Sequence, residues 1–84
     1  MDKAINKELC KMTFPELWGS LPRETQLVLF RTLRENLGRP KVTIWKYHEG
    51  VSTPTSPLDR REIARVVRDT TGLEVTSETL FPES

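Results

Sequence analysis

Cysteine occurs once in this chain of 84 residues, at Cys10, and histidine once, at His48. A lone thiol forms no bridge within the chain, so Cys10 is expected as a small buried or half-buried apolar side chain in a reducing compartment. One imidazole and one thiol fall short of the three or four donors a metal centre needs. A nucleophilic serine would have to find His48 without any motif to bring the two together. The four glycines are scattered, which excludes a glycine-rich phosphate loop. No apolar run is long enough to cross a bilayer, and "MDKAINKELCKM" lacks the apolar block of a secretory signal. The expectation is a soluble, cytoplasmic protein that is not an enzyme, with no cofactor, no metal, no membrane partner and no small-molecule ligand.

What is present is enough for one domain and one small core. A hydrophobic share of 36% at a net charge of +1 is too apolar for a disordered chain. The same near-neutrality argues against a binder that works through net charge alone, though not against one with a local basic face.

The residue pattern is helical throughout. Residues 3 to 12 put Ala4, Ile5, Leu9 and Met12 near one face, as a short helix or an N-terminal arm (1–12) ahead of a single domain at 13–84. Thr13 and Glu16 have capping-box spacing, and Pro15 suits a first turn. They predict a short helix that buries Phe14, Leu17 and Trp18 and stops at Gly19. Ser20 can cap the next helix, with Pro22 in its first turn. That helix carries a stripe of Leu29, Leu33 and Leu37, flanked by Val28 and Phe30, and Gly38 ends it.

Pro40 can open a further helix over about 40–49, closed by Gly50. "VSTPTSP" reads as a loop stiffened by Pro54 and Pro57. Ser56 and Pro57 start a fourth helix, with Ile63, Val66 and Val67 inward and Gly72 at its end. "LEVTSETLFPES" supplies one closing turn near 77 to 81. The fold class expected is all-α: a compact bundle of four to five short helices and no strand. "KVTIW" is the only β-prone run, and its Pro and Gly flanks suit a short helix equally well.

Charge is segregated along the chain. Arg31, Arg34, Arg39, Lys41 and Lys46 face only Glu35 in the stretch 31–46, whereas 69–84 holds Asp69, Glu74, Glu78 and Glu83 and no basic residue. The basic stretch coincides with two helices joined across a glycine turn, the form of a helix-turn-helix. A helix fits the major groove of B-form DNA, where each base pair shows its own donors and acceptors. With Ile44 and Tyr47 packed inward, Lys41, Val42, Trp45 and Lys46 are left to read bases. Arg31, Arg34, Arg39, Thr43, His48, Ser52 and Thr53 are the candidates for phosphates, which set register rather than sequence. Trp45 and Tyr47 compete for the inward position. If Trp45 packs, Tyr47 turns out and the reading face shifts.

At this point "LGRPKVTIWKYHEGVSTPTSPLDRREIARVVRDTTGLEVTSETLF" resembles the second half of the lambda-repressor-like, Xre-type helix-turn-helix domain. Gly38, Thr43–Ile44, Tyr47, Gly50, Pro54, Ile63–Ala64 and Leu80–Phe81 follow the family's order at roughly its spacing. The chain departs from it at Phe30, where a glutamine is usual, at Arg34, where a small residue is usual, and at Arg39, where a small apolar residue is usual. The resemblance implies a bacterial or phage transcription regulator that binds double-stranded DNA as a homodimer, with Lys41, Val42, Trp45 and Lys46 at base-facing positions. The alternative is a helical adaptor that has kept the bundle and binds another protein. An RNA target is a weaker option, since the aromatic-rich sheet motif that commonly serves it is missing.

Overall fold

The computed structural model describes residues 11–82. The expectations for Cys10 and for a helix across residues 3 to 12 lie wholly or mainly outside that range. Helix α1, Phe14–Ser20, begins where the capping-box spacing puts it. The Glu16 carboxylate turns back and accepts hydrogen bonds from the Thr13 backbone N–H at 3.1 Å and from its hydroxyl at 2.9 Å. These two bonds hold the Glu16 carboxyl below its ordinary pKa, the backbone one first.

Two sequence expectations fail at the end of α1. Gly19 does not stop the helix, which continues through Ser20. Ser20 does not cap the next one, because its hydroxyl donates to the Glu16 carbonyl at 3.1 Å. The physical stop is Pro22, which disfavours helical geometry in the residue before it, and Leu21 is accordingly extended. Pro22 itself is the N-cap of α2, Arg23–Leu37. The Gln26 side chain reaches back to donate to the Trp18 carbonyl at 2.6 Å, satisfying the end of α1.

Helix α2 buries Leu29 and Leu33 completely, with Leu37 and Phe30 partly covered. Val28, expected beside that stripe, is exposed. It lies a hundred degrees round the helix from Leu29, on the side away from Phe30. Helix α3 is Lys41–Glu49 and helix α4 is Pro57–Thr71. Ser56 is at the N-cap of α4 as expected, but its hydroxyl makes no capping hydrogen bond. Thr76 does cap α5, Ser77–Leu80, accepting from the Thr79 N–H at 3.2 Å.

The described residues therefore form a compact bundle of five short helices with no strand. The long helices α2 and α4 pack against each other, α1 lies on α3, and α5 closes over α4. The core runs from Phe14, Leu17 and Trp18 through Leu29, Leu33 and Ile44 to Ile63, Val66, Val67, Val75 and Leu80. Arg68 donates to the Val75 carbonyl at 3.0 Å and so ties the closing segment to α4. No described helix is long and apolar enough to cross a membrane.

Candidate nucleic-acid interface

The turn between α2 and α3 takes three residues. Gly38 has φ 64°, a left-handed conformation open to glycine at little cost, and its N–H closes on the Arg34 carbonyl at 3.0 Å. Pro40 is the N-cap of α3 rather than its first residue, and its carbonyl accepts from Thr43 at 3.1 Å and Ile44 at 3.3 Å. At the far end Gly50, φ 78°, ends α3. A Cβ added to Gly50 would sit 3.3 Å from Cγ of Pro15, so α3 stops against the first turn of α1.

The helical period divides α3 into two faces. Ile44, Tyr47 and His48 share one side at three- and four-residue spacing and are all buried. Lys41, Val42, Trp45 and Lys46 are exposed on the other. The competition between the two aromatics is resolved, with Trp45 46% exposed and Tyr47 only 9%. The four positions assigned to base reading thus share one accessible face.

The phosphate candidates scatter more widely. Arg31, Arg34, Ser52 and Thr53 are exposed and Thr43 is half-buried. The Arg39 guanidinium is engaged by Asp59 at 2.9 Å, a contact that raises its pKa still further. His48 departs most from the expectation. It is 8% exposed and stacks flat on Trp18, ring centres 4.1 Å apart and planes 7° from parallel. Phe30 meets His48 edge-on at 5.9 Å and Trp18 at 6.4 Å. Burial pulls the His48 pKa below its ordinary value, partly countered by Glu49, whose carboxylate lies 3.1 Å from Nδ1. The imidazole therefore serves as a packing surface between α1, α2 and α3.

One part of this surface does not stand out in the sequence. Leu27, 60% exposed, and Phe30 of α2 join Lys41, Val42 and Trp45 of α3 to line a shallow open groove. The signal lies in "LVLF", since four successive apolar residues on a helix cannot all face one core. Arg34 continues the line of Leu27 two turns further along α2, roughly 10 Å away. The groove is thus apolar apart from one cation, Lys41, among its lining residues. The first turn of α3 has no acidic side chain to offset the positive end of its dipole. No cluster of three or more metal-ligating side chains occurs among the described residues.

Comparison of the chain with protein-family models, with curated proteins and with solved structures returns no significant match, so the reading of this surface rests on its own geometry.

Proposed function

We propose that this domain is a sequence-specific binder of double-stranded DNA, a small transcription regulator of the bacterial or phage type that acts as a homodimer. The observation that carries the reading is the division of α3, with Ile44, Tyr47 and His48 anchoring its back and Lys41, Val42, Trp45 and Lys46 standing out from the bundle on its front. A reader helix needs that arrangement, a packed rear and an accessible first two turns that follow a tight turn from a supporting helix. Lysines 41 and 46 donate to guanine O6 and N7 or to phosphate, and Arg31, Arg34, Ser52 and Thr53 supply further phosphate contacts. Arg39 has five donors and can hold Asp59 while offering others to a phosphate. Binding is non-covalent and is driven in part by counterion release.

Titration of fluorescent pooled random duplexes at several salt concentrations tests the reading. With four phosphates contacted, log affinity falls with log salt at a slope of roughly −3.6. Absence of binding at low salt, or binding unchanged in a Lys41→Ala/Lys46→Ala double variant, refutes it. The second reading, a helical adaptor for another protein, is favoured by the exposed apolar groove of Leu27, Phe30, Val42 and Trp45. Retention of a specific partner from nuclease-treated lysate, together with failure to bind duplex, selects it.

A further inference from the structure

The chemistry of the front of α3 narrows what a duplex must show it. Its outward side chains are Lys41, Val42, Trp45, Lys46 and Glu49, and the groove adds Leu27 and Phe30. Adenine is typically read by the paired donor and acceptor of an asparagine or glutamine. The described chain has two such amides, and both are committed within the protein: Gln26 to the Trp18 carbonyl at 2.6 Å, and Asn36 to the Glu62 carboxylate. Cytosine is read by a carboxylate, and the one on this face, Glu49, lies 3.1 Å from the His48 ring nitrogen. What remains is two ammonium groups, the indole N–H of Trp45 and a strip of carbon.

In the major groove guanine and thymine match that combination best. Guanine offers O6 and N7 to lysine, and thymine alone among the four bases offers a methyl group. Resting on the reading of α3 as a DNA reader, we propose that the groove formed by Leu27, Phe30, Val42 and Trp45 recognises the C5-methyl groups of thymines lying beside guanines. Lys41 at the groove matches a phosphate flanking those bases, and a purely apolar protein ligand would leave it uncompensated. Val42, in the first turn of α3, and Trp45, one turn on, are spaced to meet methyl groups on neighbouring steps of the duplex.

Replacing thymine by deoxyuridine tests this directly, because uracil keeps the base pair and loses only the methyl. The duplexes bound most tightly from a random pool are recovered, resynthesised with deoxyuridine at one thymine position at a time, and titrated by fluorescence anisotropy. Each methyl that the groove covers should be worth about fourfold in affinity. In Val42→Ala and in Trp45→Ala the thymine and deoxyuridine forms should bind alike at the one position that side chain covers and still differ at the other. Circular dichroism melts should show both variants folded, since neither side chain belongs to the buried core. Equal affinity for the two forms at every position, or recovered duplexes poor in thymine, overturns the methyl reading and leaves DNA binding standing. No binding to any duplex at low salt overturns both.

Discussion

The two faces of α3 differ less in composition than in what they meet. The buried face holds an isoleucine, a tyrosine and a histidine, and the exposed face holds a valine, a tryptophan and two lysines. An aromatic and an aliphatic residue occur on each side. Hydrophobicity alone therefore does not decide which face packs. Position decides it: Ile44 and Tyr47 fall within the buried core, and His48 falls where α1 and α2 present Trp18 and Phe30, so that the imidazole is covered by a flat partner. The same geometry leaves the Trp45 indole half exposed at the groove between α2 and α3.

Substitutions can break this contrast. Ile44→Ala should be the most damaging, costing about 2–5 kcal/mol by emptying a fully buried site, a large part of the total for a domain of this size. A denaturant melt measures it. Trp45→Ala, at a half-exposed site, should cost clearly less, about 1 kcal/mol. Its larger effect is expected on the proposed duplex binding. If the two variants destabilise equally, the division into faces is wrong.

Lys41→Ala should come next, costing about 1–3 kcal/mol of binding at one base pair and nothing in the melt. Gly50→Ala should cost about 1–2 kcal/mol of stability, from the left-handed backbone and from the 3.3 Å approach to Pro15 together. Gly38→Ala, with φ 64° and open space around it, should cost less, and the difference between the two melts reports the contact with α1.

The smallest effect is that of pH. Burial holds His48 below the ordinary histidine value of 6.5, so the unfolded chain takes up its proton first as pH falls. Its contribution is fully present above pH 6.5 and is lost on going down through the folded pKa. Glu16 and Glu62, depressed from 4.5 by their hydrogen bonds to Thr13 and Arg65, lose theirs only at lower pH. A melting temperature that declines just below pH 6.5 in the parent and stays level there in His48→Phe would isolate the imidazole.

Much of the bundle is legible in the sequence. Apolar spacing marks the cores of α2 and α4, and Gly38, Gly50 and Gly72 end their helices as expected, each at positive φ. Gly19 misleads because a glycine marks a stop only where the chain must turn left-handed, and here Pro22 does the stopping instead. The front of α3 is legible once Ile44 and Tyr47 are placed inward. His48 is not, since one polar residue at the edge of an apolar stripe can face either way until its partner is known. Trp18 is thirty positions away in the chain, and local pattern does not reveal that pairing. Leu27 escapes notice for a similar reason, because its importance comes from the neighbouring α3.

The two tryptophans allow the most direct test of the central claim, since one stands on each side of the division. In a nitrogen-15 correlation spectrum the indole N–H signals of Trp18 and Trp45 are separate probes of buried and exposed surface. On addition of a bound duplex the Trp45 signal should move strongly, together with the amides of Lys41 to Lys46, while Trp18 stays close to its starting position. A duplex that leaves Trp45 unmoved, or that shifts residues only on α4 and α5, would contradict the assignment of α3 as the reading element.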